Sequence, residues 1–355
     1  MIDFSLTEDQ RIAQAAADQF ARAVAAPAAR AADEASAFSE VLLARAWGLG
    51  LVQAAASGEA GAQPSVLNAL ALEGIAYGDA ALATALAAPL AFVKAIAEGG
   101  SEAQRETLLP LYAGDRPRFA AFAHVDAGWP RSAGRATRAH RTAGGWRLEG
   151  AKGFVPLASR CEHFLVTAET DDGAFAFVVP ASARGVAILP AQGALGLRAL
   201  QMTDVGFEAV ELPHEAQLPS APRRLVDLSR VALTAILSGL AHAVYDYALP
   251  YTKGRVVHGE AIARKQAVAF KLADMRIATQ AMRWMALRAA CELDAASTAT
   301  RNARLAQRYA SDKGMRIADE GVQLFGGHGF VRDLPLEMWA RNARSLSVLD
   351  GLVGV

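Results

Sequence analysis

The alternation of apolar and polar positions divides the chain into three textures. Residues 1 to about 117 read as helices. Thr7, followed by Glu8 and Asp9, predicts a helix start with acids in the first turn, where the helix dipole favours them. Gly48 with Gly50, and Gly99 with Gly100, punctuate helix ends, and Gly114-Asp115-Arg116-Pro117 breaks the helical pattern. From Arg118 to about Pro213 the runs are short and strand-like. Cys161–Thr170 and Ala174–Val179 flank Asp171-Asp172-Gly173, and Ala136–Thr142 and Trp146–Gly150 flank Ala143-Gly144-Gly145, which predicts two hairpins. Close-spaced strands of this kind suggest a small barrel or sandwich. Pro213, Pro219 and Pro222 mark the exit linker. Beyond Arg223 the helical period returns: Phe270, Ala273, Ile277, Ala281, Trp284 and Leu287 form one apolar stripe, expected to bury against other helices. Helices at both ends of a β segment predict an α+β chain. Its parts are an N-terminal helical domain over 1–117, a β-barrel or sandwich domain over 118–222, and a C-terminal four-helix bundle over 223–355.

Composition narrows the function. With 53% hydrophobic and 20% charged residues the chain is globular, not disordered. Lys plus Arg and Asp plus Glu are 36 each, which removes the electrostatic case for nucleic acid. Acids stand near the N-terminus where a signal peptide needs bases, and the apolar run Ala80–Val93, interrupted by Pro89, reads as too short to span a bilayer. Two cysteines, Cys161 and Cys291, suit a reducing cytosol and read as core fillers, so a cytoplasmic protein is expected. No GxGxxG after a strand, Walker loop or nucleophile elbow is present. Of the histidines and cysteines only Cys161 and His163 lie close together, so no metal site is expected.

What remains is a series of motifs in a fixed order. They are AFAHVDAGWP over 121–130, LEGAKGFVPLA over 148–158, LGLRA over 195–199, VDLSR over 226–230, the spaced Arg255, Gly259 and Gln266, QLFGGHG over 323–329, and Leu349-Asp350-Gly351-Leu352. In this order and spacing they resemble the acyl-CoA dehydrogenase family across nearly the whole length. The resemblance implies a flavoprotein using FAD for α,β-dehydrogenation of an acyl-CoA thioester in lipid metabolism. A carboxylate removes the α-proton as hydride passes to the flavin. It also implies electron-transfer flavoprotein or a similar acceptor as partner, and a homo- or hetero-tetramer in which FAD lies between subunits.

Carried over position by position, Phe122, Ala123, Gly128, Phe154 and Pro156 would meet the chain's own cofactor. Arg255, His258, Gln266, Gln323, Gly326 and Gly327 would reach the FAD of a neighbouring subunit. Trp129, Asp227, Ser229 and Arg230 would lie near the substrate, and Asp350 would stand in the position of the catalytic base. The family has glutamate where this chain has Asp350. Aspartate is one methylene shorter, roughly 1.5 Å of reach, and misplacement by about 1 Å costs on the order of a hundredfold in rate. Pro156 and Ala123 stand where threonines are usual, Trp129 where a small serine is usual, Phe154 where tryptophan is usual, and His258 where an aromatic is usual. The alternative base position is occupied by Ser229, which cannot act as one. The own-site residues thus depart more than those lent to a neighbour. Three readings follow: a dehydrogenase using Asp350; a degenerate subunit that completes the FAD site of an active paralogue; and a flavin-free scaffold. Asp227 and Arg230 read equally well as a structural pair on one helix.

Overall fold

Thr7 starts the first helix by a reciprocal cap: its hydroxyl accepts from Gln10 N at 3.3 Å and the Gln10 side chain accepts from Thr7 N at 3.1 Å. A computed structural model describes residues 5–349 except 60, 62, 129–135, 192, 221 and 297. Helix α1 (Glu8–Phe20) widens into one π turn (Ala21–Ala25) before α2 (Ala26–Ala35), where Pro27 cannot donate to the preceding turn. Short α3 (Glu40–Trp47) and α4 (Leu51–Ser57) lead to an antiparallel pair, α5 (Pro64–Gly78) and α6 (Ala80–Gly99), and then to α7 (Glu102–Tyr112).

The helix that carries the apolar run from Ala80 does not stop at Val93. It has 20 residues and passes through Pro89. By length and composition α6 and the later helix Arg223–Gly254 are both apolar enough to cross a membrane, so shortness is not what distinguishes α6 from a span. Here most of each apolar window is buried inside the protein, and both are core helices.

Strands β1 (Phe119–Ala123), β2 (Arg138–Thr142), β3 (Gly145–Val155), β4 (Cys161–Thr170), β5 (Gly173–Pro180), β6 (Val186–Ile188) and β7 (Thr203–Pro213) form one seven-stranded sheet. Its order is β1-β4-β2-β3-β7-β6, with β5 paired to β4. β1 and β4 run parallel, and the two hairpins are antiparallel and tight: Thr170 faces Gly173, and Thr142 faces Gly145. Trp146 of β3 meets Phe177 of β5 edge-on at 5.3 Å, although these strands are not neighbours. The sheet therefore folds over its own core, as a barrel or sandwich does.

The bundle is α8 (Arg223–Gly254), α9 (Gln266–Asp294), α10 (Thr300–Phe325) and α11 (Leu336–Leu346). α8 is its axis. Ser238 on α8 donates to Glu73 of α5 at 2.6 Å, and Thr234 donates to Gln307 of α10 at 3.3 Å. α11 locks the three parts together. Arg341 donates to both oxygens of Asp33 (3.0 and 2.6 Å), Asn342 accepts from Leu197 N at 2.7 Å, and Ser345 accepts from Gly196 N at 3.1 Å. A Cβ at Gly196 would lie 2.1 Å from the Arg341 carbonyl oxygen, so the LGLRA turn can dock here only with glycine.

The apolar stripe at Phe270, Ile277 and Trp284 lies on α9 as expected, yet it is not buried. These residues are 61%, 66% and 45% exposed, and of the six stripe positions only Leu287 is buried. α9 packs inward through Leu272, Met275, Thr279 and Met282 instead. Periodicity identifies an apolar face; it does not say whether the covering surface belongs to the same chain. Cys161 is buried, whereas Cys291, also expected in the core, is exposed.

Candidate active site

α5, α6 and α8 meet the β1–β3 face of the sheet around a cleft with a cavity of about 120 Å³. Phe122, Phe154, Pro156 and Met202 come from the β domain, Ser229 and Ala232 from α8, and Leu349 from the end of the described chain. A smaller recess continues from it, sharing Phe122, Phe154, Ser229 and Leu349 and adding His124 and Gly153.

The aim of Phe154 is set by an irregularity in β3. Lys152 faces Val205 and Val155 faces Thr203, so Gly153 and Phe154 together oppose the single residue Asp204. This bulge places Phe154 at φ 56°, a left-handed conformation uncommon outside glycine, and turns its ring into the cleft.

Behind the bulge lies a buried polar cluster. Lys152 Nζ donates to Asp126 Oδ1 at 2.7 Å and to the His124 carbonyl at 3.1 Å. Asp126 also accepts from Thr137 N and Oγ1 at 3.1 and 2.8 Å. Burial pushes the Asp126 carboxyl up, but its bonds to Lys152 and Thr137 outweigh this and hold it below the usual range. Burial also lowers Lys152, against the raising effect of Asp126. His124 stacks on Phe122 with ring centroids 5.5 Å apart. Burial, then the charges of Lys152 and Arg230, hold its imidazole down at about 4, so it is neutral at pH 7. Thr167 Oγ1 donates to the His124 carbonyl at 3.3 Å and lies 3.2 Å from Nδ1. The Thr167 hydroxyl thus ties the ring of His124 to its own backbone.

Phe122, Phe154, Pro156 and Ser229 therefore share the cleft. Ala123 is buried, one residue along β1 from Phe122 and so on the opposite strand face. Gly128 lies in a separate recess with Arg138, His140 and Asp204. Asp227 is turned into the helix seam: it accepts from Thr300 Oγ1 at 2.6 Å and pairs with Arg230 at 3.6 Å. Trp129 and Asp350 lie outside the described residues, although Leu349, next to Asp350 in sequence, lines the cleft.

The remaining positions gather at the other end of the bundle. Tyr251 near the end of α8 stacks on Phe325 at the end of α10 (3.7 Å), and Lys271 in the first turns of α9 pairs with Glu320 of α10. Arg255, His258, Gln266, Gln323, Gly326 and Gly327 thus stand at one bundle end, all exposed. Gly326, at φ 57°, closes α10, and a Cβ on either glycine would meet nothing within 4 Å. Sequence reasoning did not single out His124, Met202, Ser65, Asn68 or Lys94, which also line the cleft. Only the AFAH segment offered a signal, for His124. Among the described residues no group of three or more His, Cys, Asp or Glu is placed to hold a metal.

Models of the acyl-CoA dehydrogenase N-terminal, middle and C-terminal domains match residues 7–115, 123–210 and 220–354. The chain belongs to the acyl-CoA dehydrogenase family. Butyryl-CoA dehydrogenase from Megasphaera elsdenii has a similar structure, with TM-score 0.88 and 28% identity, covering 98% of this chain and 96% of that one. A glutaryl-CoA dehydrogenase from Mycobacterium smegmatis in complex with FADH2 gives TM-score 0.86 and 25% identity, over 97% and 91%. The caffeyl-CoA reductase-Etf complex subunit CarC of Acetobacterium woodii is 29% identical over 264 residues, 71% of this chain and 69% of that protein.

For an acyl-CoA dehydrogenase, the cleft is short of donors near Phe154. Ala123 and Pro156 provide no side-chain donor, and Pro156 has no backbone N–H. The flanking amides are already engaged: Gly153 N donates to Val125 O and Leu157 N to Leu200 O, both at 2.8 Å.

Proposed function

We propose that the chain is a subunit of an FAD-dependent acyl-CoA dehydrogenase, whose cleft takes the acyl end of a CoA thioester and whose Asp350 accepts the α-proton. The observation that carries this reading is the convergence of Phe122, Phe154, Ser229 and Leu349 on one apolar cleft. The residues fit FAD unevenly. Exposed Arg255 suits a pyrophosphate, and the open faces of Gly326 and Gly327 leave room for the adenosine half. At the ring end Phe122 and Phe154 offer aromatic faces but few donors. FAD, when bound, supplies the hydride acceptor.

The work of the chain's own residues is positioning. The apolar walls exclude water, which raises the affinity of a carboxylate for a proton toward that needed to deprotonate a thioester. His124, neutral and held by Thr167, carries no charge into the cleft.

The two sets of residues cannot serve one FAD within one chain. At 1.5 Å rise per residue, α8 separates Ser229 from Arg255 by about 40 Å. Each site is therefore completed by the bundle end of another subunit, a second copy or a paralogue. The stripe Phe270, Ile277, Trp284 supports self-association: its spacing is seven and seven, so an antiparallel copy sets Ile277 against itself and Phe270 against Trp284. The Acetobacterium relative, a subunit of a complex with Etf, supports an electron-transfer flavoprotein as electron acceptor. We place the protein in the cytoplasm.

The second reading, a helper subunit for an active paralogue, is favoured by the asymmetry between the donor-poor surroundings of Phe154 and a bundle end that departs from the family only at His258. The visible spectrum separates the two. A dehydrogenase purifies with flavin absorbance that bleaches on adding an acyl-CoA. A helper subunit is colourless alone and coloured when co-purified with a family member bearing the usual glutamate. A protein colourless in both preparations refutes both.

A further inference from the structure

The helical wall of the cleft contains two polar atoms with nothing to bind. Ser65 and Asn68, on the first turns of α5, are 3% and 6% exposed, and both line the cavity. Neither Ser65 Oγ nor Asn68 Nδ2 has a hydrogen-bond partner among the described residues. A buried donor left unmet costs about 1–3 kcal/mol, so such atoms are rare unless something else meets them. On α6, joined to α5 through Asp79, Lys94 lines the same cavity. Thr84, also in the cavity, is already committed to the Ala80 carbonyl at 2.8 Å.

The charges around this wall are balanced. Lys94 Nζ lies 3.1 Å from Glu98, which also accepts from Arg224 Nε at 2.6 Å. Asp294 accepts from the backbone of Ser65 and Val66 at 2.8 and 3.0 Å. Lys94 and Arg224 thus share Glu98, and Asp294 is held by two backbone amides, so the two cations and two carboxylates around the wall leave no net charge.

Resting on the acyl-CoA reading above, we propose that this cleft takes an acyl group bearing an acceptor oxygen beyond its reacting carbons, received by Asn68 Nδ2 and Ser65 Oγ. A plain alkyl chain would leave both donors against methylenes. The acyl oxygen meets the two donors that no other group among the described residues meets. A wall without net charge favours a neutral hydroxyl or ketone oxygen over a carboxylate, and all three share the same acceptor chemistry.

The test is calorimetric binding of length-matched CoA thioesters to the purified assembly: hexanoyl-CoA, 6-hydroxyhexanoyl-CoA, 5-oxohexanoyl-CoA and adipoyl-CoA. At least one oxygenated thioester is expected to bind about tenfold or more tighter than hexanoyl-CoA, and the favoured one identifies the oxygen's type. Asn68→Leu, and separately the milder Ser65→Ala, should erase most of that preference while hexanoyl-CoA binds as well or better. Hexanoyl-CoA binding as tightly as all three oxygenated thioesters overturns the proposal and leaves the acyl-CoA reading standing. So does a preference that survives both substitutions in folded protein. Failure of every thioester to bind overturns the acyl-CoA reading, and this proposal with it.

Discussion

Ile277 stands 66% exposed at the middle of α9, flanked one heptad away on each side by Phe270 and Trp284. Its replacement by glutamate is expected to break the assembly without harming the fold. Full burial of an isoleucine stabilises by about 1.5–3 kcal/mol. Two thirds of that surface remains to be covered, so each copy contributes about 1–2 kcal/mol on association. At a two-fold contact both copies lose it, about 2–4 kcal/mol together, which weakens the dissociation constant roughly 30- to 1,000-fold. Two glutamates meeting at the dyad add repulsion in the same direction. A concentration series by light scattering or sedimentation reads the dissociation constant, and thermal unfolding of the dissociated chain checks the fold. Because the side chain touches little of its own subunit, the unfolding of that chain should move little. An Ile277→Glu protein with unchanged mass at every concentration would show that the stripe is not the contact and that its exposure has another cause.

Three further outcomes are expected. Asp350→Ala should abolish dye-coupled acyl-CoA oxidation, whereas Asp350→Glu, restoring the family's longer base, should raise it by up to about a hundredfold; unchanged turnover in the alanine variant excludes Asp350 as base. Gly196→Ala should lower stability by about 1–3 kcal/mol, since its Cβ would meet the Arg341 carbonyl at 2.1 Å; an unshifted melting temperature refutes the tight docking of the turn on α11. For pH, burial holds His124 and His242 down at about 4, below the ordinary 6.5. As pH falls from 6.5 to 4 the unfolded chain binds protons first, so each imidazole withdraws up to about 3 kcal/mol of stability over that window. Burial raises Asp79 to about 7, which acts oppositely: between about 4 and 7 the folded chain holds its proton longer, and stability falls as pH rises. Replacing both histidines by glutamine should shrink the loss of stability between pH 6.5 and 4, measured as melting temperature against pH, leaving the part due to His163, which burial also lowers; a loss as steep as that of the parent protein contradicts this.

Local chemistry was legible in the sequence wherever neighbours in the chain decide the structure. Thr7 starts a helix, Asp171-Asp172 turns a hairpin and Gly48 ends a helix, because caps and turns depend on a few adjacent residues. Even there the partner differed: Thr7 is paired with Gln10 as well as followed by Glu8 and Asp9. The stripe on α9 was legible as a face and misread as to its cover. Ala80–Val93 reads as too short because Lys94 ends the apolar run, whereas α6 continues to Gly99 with Lys94 buried and paired to Glu98. The bulge that aims Phe154 depends on where β7 pairs with β3, and no local pattern encodes that register. Ser65, Asn68 and Lys94 become a group only when α5 and α6 line one cavity. Taken singly, each is an ordinary polar residue on a helix.

The division of one binding site between two subunits is tested most directly by complementation. One variant carries Phe154→Glu in the cleft, the other Arg255→Ala with Gly326→Val at the bundle end, and flavin bound per chain is read from the visible spectrum. Each variant alone should be nearly free of flavin. After mixing and reassembly, about a quarter of the sites in randomly paired dimers join an intact cleft to an intact bundle end, and flavin should return to that level. A mixture as colourless as its parents, or a bundle-end variant that keeps full flavin by itself, would contradict a site built across subunits.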